Sequence, residues 1–285
     1  MTAIAFYPGR AYPSVSVTGP TCPLNCDLCR GRYLRGMASP LPGETLLDLA
    51  RRLSAEGARG ILISGGSDLR GRLPVFGLLD QVSAIKRELG LYLSVHPGLV
   101  DRAEAEALRL AGFDSVDYDL PPGDRAAGIR GFPYSEFLRS LEAVTEAGPG
   151  RVVPHVTLGL PGVRPEDELS AIEEVASRGY DELVLLVFIP TQGTPFEGLN
   201  PPSMSRVLPV VREARRIFGG ELSLGCMRPK VLKRTLDPAV VEEGLVDRIA
   251  VPRPELVKQR GLETVAACCA VPRSEFGRFP RGFRP

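Results

Sequence analysis

Three cysteines stand close together near the start of the chain: Thr21-Cys22-Pro23-Leu24-Asn25-Cys26-Asp27-Leu28-Cys29. The spacing gathers three thiolates on one compact loop, and soft thiolates in that geometry suit an iron-sulfur cluster. Three ligands rather than four leave one iron open to a small bidentate molecule. A structural zinc site would need a fourth ligand nearby, and the two histidines, His96 and His155, lie far along the chain. Ordinary buried cysteines are the other alternative.

The remaining cysteines form a second set. Cys226 sits in Leu224-Gly225-Cys226-Met227-Arg228-Pro229-Lys230, and Cys268 and Cys269 are adjacent near the end. They are distant in sequence, yet one rim of a barrel can bring them together around an auxiliary cluster. Arg228 and Ser223 are candidate non-cysteine ligands or donors to such a cluster. The alternative is a small core cysteine at 226 and an inert pair in a frayed tail.

Other residues are placed to contact a ligand. Ser64-Gly65-Gly66-Ser67 is a glycine-rich turn that permits close backbone approach. His96 and His155 fall on or just beyond strands, where a side chain can face a cavity, although a core role is the simpler reading. Asp117 and Asp119 share one strand face by period-two geometry and can accept hydrogen bonds from ribose hydroxyls or substrate, or be solvated. Gly193 and Thr194 belong to Ile189-Pro190-Thr191-Gln192-Gly193-Thr194-Pro195, a turn either near a ligand or on the surface.

These residues need elements to hold them. Apolar, β-branched runs predict strands at Ser14–Thr18, Gly60–Ser64, Tyr92–Val95, Ser115–Asp119, Val152–Leu158, Leu183–Ile189, Glu221–Leu224 and Arg248–Val251. Stretches of helical period alternate with them at Glu44–Glu56, Val75–Leu89, Arg102–Ala111, Tyr134–Ala147, Pro165–Arg178, Ser203–Phe218, Pro238–Glu243 and Pro254–Arg260. Eight such units predict an α/β fold, a closed (β/α)8 TIM-type barrel whose chemistry sits on loops at the strands' C-terminal ends. Residues 1–270 form this one domain. Residues 271–285 are an irregular C-terminal extension, and Arg278, Phe279 and Phe283 suggest a contact arm.

Composition narrows the classes of function. A net charge of +1, from 35 basic and 34 acidic residues, offers no global field for nucleic acid or an anionic membrane. Six cysteines are too few and too unevenly placed for a disulfide scaffold, and no secretory leader pattern opens the chain, so the expected compartment is cytoplasmic. No apolar run approaches the roughly 20 residues of a spanning helix.

Taken with Phe6-Tyr7-Pro8, Pro13-Ser14-Val15-Ser16-Val17-Thr18-Gly19, Leu62-Ile63-Ser64-Gly65-Gly66, Val95-His96-Pro97-Gly98-Leu99, Pro154-His155-Val156 and Gly193-Thr194-Pro195, the cysteine loop resembles that of the radical S-adenosylmethionine (SAM) superfamily, in its biotin-synthase-related branch. With the segment from Gly225 to Lys230 and with Cys268-Cys269, the chain is most similar to the smaller component of the two-protein lipoyl synthases. The likeness runs to Ala270. It departs at Leu28, where the family usually has an aromatic residue, and at Ser67, where an acidic one is common.

The resemblance implies a 4Fe-4S cluster on Cys22, Cys26 and Cys29, with SAM's amino and carboxylate groups on the open iron. It implies that Ser64 to Ser67 receive the methionyl amino group, and that Gly193 and Thr194 lie near adenosine. An electron from a reduced ferredoxin-type donor would cleave SAM to a 5'-deoxyadenosyl radical, which takes hydrogen from C6 or C8 of an octanoyl chain on a lipoyl carrier protein. A second, auxiliary 4Fe-4S cluster on Cys226, Cys268 and Cys269 would give up sulfur, and a sister lipoyl synthase component would act at the other carbon. Two alternatives are a single-cluster radical SAM enzyme of another cofactor-biosynthesis pathway (rearrangement or C-C bond formation) and a non-catalytic metal-binding protein.

Overall fold

The computed structural model describes residues 3–285. Among them are ten strands: β1 Ile4–Phe6, β2 Ser14–Ser16, β3 Gly60–Ser64, β4 Tyr92–Val95, β5 Ser115–Leu120, β6 Val152–Leu158, β7 Glu182–Val187, β8 Glu221–Leu224, β9 Arg248–Ala250 and β10 Thr264–Val265. All pair in parallel in one sheet of order β10-β1-β9-β8-β7-β6-β5-β4-β3-β2. Each of the eight expected strands is present within two residues at either end. The two short strands β1 and β10 were not expected, because three and two residues carry too little alternation to register as a pattern.

The sheet curls into a half-barrel with helices outside, which bears out the TIM-type α/β class. It does not close. β2 and β10 are its edges, so the ring of eight is corrected to an open arc of ten. On the β10 side, β9 pairs with β8 and β1.

Alternate strand residues divide inside from outside. Val116, Leu120, Val156, Leu158, Leu185 and Val187 join the outer layer, packed with Leu108, Leu141, Ile172 and Val211 of the helices. Helix boundaries follow local signals. Asp101 caps Arg102–Ala111 reciprocally with Glu104, and Thr45 does the same with Asp48 for Leu46–Ala55. The helix Gly123–Ile129 was not expected, since two of its seven residues are glycine. No helix among the described residues is long and apolar enough to cross a membrane.

The C-terminal segment enters the half-barrel and is not a free arm. Gly282 N–H donates to Thr264 O and Ala266 N–H to Pro280 O, so the tail runs back along β10. Between these contacts Phe276 and Phe279, each 4% exposed, turn inward. Phe276 meets Phe6 edge-on at 5.6 Å, and Phe279 lies 5.8 Å from Tyr12. Phe283 lies against Tyr7. The reading of Phe279 as an exposed interface anchor is therefore corrected: hydrophobic burial makes the segment a plug. Phe276→Ala should cost about 3–5 kcal/mol of stability, read by chemical denaturation. An unchanged midpoint would show that the plug is dispensable.

Candidate functional site

The cysteine loop leaves β2 and is stitched to the turn after β3. Ser16 Oγ donates to Gly19 O at 2.6 Å, and Thr18 Oγ1 accepts from Gly66 N–H at 2.7 Å. Leu24 N–H donates to Ser67 O at 3.0 Å, and Cys22 Sγ reaches the same oxygen at 3.9 Å. Glycine is required at 66, where a Cβ would lie 2.1 Å from Thr21 O and 2.5 Å from Cys22 Cα.

Cys22, Cys26 and Cys29 are half-buried and line a cavity of about 470 Å³. A hydrogen bond from Cys29 holds the Cys26 thiol down at about 6 against burial, aided by the Leu28 backbone and the Arg130 charge. The same bond, with burial, pushes Cys29 up. Among the described residues no three His, Cys, Asp or Glu side chains converge on a point that would seat one metal ion. A polynuclear cluster spreads its ligands over several metals and needs no such convergence. The soft donor set, the tight Gly66 contact and the adjoining cavity fit a cluster with one open iron.

Ser64, Gly65, Gly66 and Ser67 line the same cavity, as do His96, Asp117, Asp119 and His155 on the far wall. The two imidazoles stand 5.4 Å apart. Burial lowers the His155 pKa, so the ring is neutral near pH 7, and its Nδ1 lies 3.0 Å from Val153 O. Burial works to raise Asp119, but the charge of Arg130, then His96 and His155, outweighs it and holds the carboxyl at about 2. Arg130, 3.3 Å from Asp119, is a cavity residue that sequence reasoning missed. Its only signal would have been the helix Gly123–Ile129 that delivers it.

Gly193 and Thr194 are not among the residues that line the cavity, although Ile189 of the same turn is. They brace the cysteine loop from behind: Arg30 Nη1 donates to Gly193 O at 3.1 Å, Tyr33 shares a 2.8 Å hydrogen bond with Thr191, and Thr194 Oγ1 donates to Thr191 O. Leu28 packs with Leu160, Val163 and Phe188 on an apolar wall.

The second cysteine set reaches the same cavity, where Cys226, Cys268 and Cys269 all line the wall. Buried arginines hold both segments. Arg228 donates to both Asp237 oxygens at 2.8 and 2.7 Å, and also to Gly225 O and Ala250 O. Arg248 donates to Cys269 O at 2.6 Å and Val271 O at 2.7 Å, and pairs with Glu182 and Glu221. Arg151 joins Glu182 to Ala270 O. The structure thus commits Arg228 and Ser223 elsewhere, Ser223 by donating to Glu182 at 2.6 Å, and corrects their candidacy as ligands.

A thiolate loop at the C-terminal mouth of a parallel half-barrel, opening on a deep cavity, defines the class: an enzyme that keeps a sulfur-ligated metal cluster beside a substrate chamber. The chain belongs to the radical SAM superfamily, whose model matches residues 16–175. Membership implies a 4Fe-4S cluster and SAM. Among curated proteins it is 27% identical over 220 residues to the mitochondrial biotin synthase of Emericella nidulans, covering 71% of this chain and 56% of that one. It is 26% identical over 222 residues to the tRNA-2-methylthio-N(6)-dimethylallyladenosine synthase of Chloroflexus aurantiacus, covering 72% and 48%. The chain thus spans about half the length of these relatives.

Solved structures share the fold. The FeFe-hydrogenase maturase HydG of Carboxydothermus hydrogenoformans superposes with a TM-score of 0.63 at 15% identity, covering 92% of this chain and 67% of that one. Methylornithine synthase gives 0.60 at 16%, covering 87% and 72%.

Two outcomes are expected from this geometry. Gly66→Ala forces the cysteine loop outward against packing worth about 1–3 kcal/mol, so SAM affinity should fall about tenfold or more, read by equilibrium binding to the reconstituted protein. Unaltered affinity would show that the loop has slack. The second concerns Glu182, which burial raises from 4.5 to about 7 despite Arg248 and Arg151. Its folded value exceeds its unfolded one, so the native state holds the extra proton between those values, and this group's contribution to stability is lost as pH climbs from 4.5 to about 7. Glu182→Gln should flatten that part of the melting-temperature profile relative to wild type; parallel profiles would contradict the assignment.

Proposed function

We propose that the chain is a sulfur-inserting radical SAM enzyme, the smaller component of a two-protein lipoyl synthase, acting at C6 or C8 of an octanoyl chain on a lipoyl carrier protein. The observation that carries this reading is that Cys226, Cys268 and Cys269 line the same cavity as Cys22, Cys26 and Cys29. The names of the two relatives add support, because biotin and a methylthio-adenosine both contain carbon-sulfur bonds.

In this reading Cys22, Cys26 and Cys29 hold the first cluster, and Ser64 to Ser67 with Arg130 bind the polar end of SAM. The cluster and SAM, once bound there, would supply the radical chemistry that activates a C-H bond. The second set of cysteines would hold the cluster that supplies sulfur. The protein's own task is placement: the target carbon must sit between the two sites, out of water, at near-attack distance from each. Leu28, Val184, Leu186 and Phe188 give the chamber an apolar side suited to an alkyl chain. A sister lipoyl synthase component and a reduced ferredoxin-type donor complete the proposed system.

A second reading rests on a different wall. His96, Asp117, Asp119, Arg130 and His155 make the far side polar, which favours a small polar substrate and a single-cluster radical SAM reaction of another cofactor pathway.

The deciding experiment is iron and sulfide content with Mössbauer spectra of anaerobically reconstituted wild type and a Cys22→Ala, Cys26→Ala, Cys29→Ala variant. Sulfur insertion predicts that the variant keeps one cluster, and that wild type with the sister protein, SAM and reductant adds sulfur to an octanoylated carrier peptide. Loss of all iron in the variant would overturn that reading in favour of the single-cluster one.

A further inference from the structure

The loops that leave the C-terminal ends of the strands line the cavity through Met37, Gly71, Arg130, Ile189 and Met227, and they also carry unspent charge. Arg35 follows the cysteine loop, Arg70 follows β3, Arg125 follows β5, and Lys230 and Arg234 follow β8; all five are exposed. The acids of the same loops are committed, Asp27 to Arg30, Asp68 to Arg72, Asp237 to Arg228, Glu197 to Gly193 N–H and Asp124 to Tyr134 N–H. Among the described residues the five cations have no ion-pair partner. The whole chain carries a net charge of only +1, so this excess is local. Four of the five large apolar side chains exposed among the described residues, Leu41, Leu69, Leu199 and Val231, stand on these loops too. A single exposed leucine is ordinary, but apolar groups gathered at one end among unpaired Arg and Lys have the make-up of an interface. In the sheet order, Lys230 and Arg234 flank the opening from β8, and Arg35 and Arg70 flank it from β2 and β3.

We propose that this rim is the docking surface for the protein that carries the substrate, and that this partner presents an acidic surface around its acylated lysine. The inference rests on the reading above that the substrate is an acyl chain held on a carrier. A chain bound for the apolar wall at Leu28 and Phe188 enters between these loops, so its carrier covers the opening. Cations on both sides of the mouth fit an occupant that lies across it. An electron donor has no chain to insert and needs no such span. Opposite charge steers and orients the encounter, and the exposed leucines and valine add apolar contact once the surfaces meet.

The test uses the full reconstituted chain and two charge-reversed variants, Arg70→Glu with Arg125→Glu and Lys230→Glu with Arg234→Glu, with thermal melts showing that each is folded. Should a reversed variant not fold, the same positions changed to Gln decide. Equilibrium titration reads binding of an octanoylated lipoyl carrier protein. Sulfur insertion into that carrier and into an uncharged octanoyl-lysine peptide is read with the sister component, SAM and dithionite. Each variant should bind the carrier about tenfold or more weakly, added salt should weaken wild-type binding, and peptide turnover should match wild type. Unchanged carrier affinity in both folded variants overturns the docking surface, as does a wild type that binds no carrier. Weakening in one variant alone overturns an occupant lying across the mouth. Weakened binding of the sister component or the ferredoxin-type donor, with the carrier spared, gives the rim to that partner instead. Equal loss of carrier binding and peptide turnover shows that the changes disturb the cavity, and also overturns the proposal. A wild type that binds the carrier but inserts no sulfur overturns the sulfur-inserting reading and leaves the docking surface standing.

Discussion

An open parallel sheet has two unpaired edges and an interior that water can enter, and much of this molecule answers that constraint. The sheet stops at β2 on one side and β10 on the other, and the chain after β10 turns back into the opening. A segment without regular structure carries backbone carbonyls that must find donors once buried. Arg248 and Arg151 supply them to Cys269, Ala270 and Val271. Those guanidiniums pair with Glu182 and Glu221 at inward positions on β7 and β8. Such ion pairs add little net stability, but they define where a buried segment sits. Edge, plug, ion network and the placement of Cys268 and Cys269 are one chain of causes.

The other side of the cavity is built differently. The cysteine loop after β2 is held by backbone hydrogen bonds to the turn after β3 and by a glycine contact too close for any side chain. Arg30 and Tyr33 fasten it to the turn around Thr191 and Gly193. Two rigidly held thiol groups therefore share one chamber, a geometry that favours chemistry on a substrate fixed between them. Its wall is apolar at Leu28 and Phe188 and polar at Asp117 and His155.

Much of this was legible in the amino-acid order. Apolar, β-branched runs marked eight strands, because strands buried on both faces concentrate such residues. The first cysteine loop was legible because its ligands are local in sequence. Arg130 was not, since the short, glycine-containing helix before it carries no pattern. The sequence left the turn at Gly193 and Thr194 open between a ligand and the surface, and the bond from Arg30 to Gly193 O that ties it to the cysteine loop spans 163 residues.

By itself the sequence determined the parallel βα alternation, the thiolate loop and the glycine turn beside it, all of which depend on neighbours within a few residues. The tertiary structure alone decided that the sheet stays open, that Phe276 and Phe279 fill it, that Arg228 and Ser223 are spent on Asp237 and Glu182, and that Asp117 is left with an unpaired oxygen. The reason is physical: hydrogen bonds and ion pairs at long sequence separation depend on which strands become neighbours, and no local periodicity encodes which buried donor meets which acceptor.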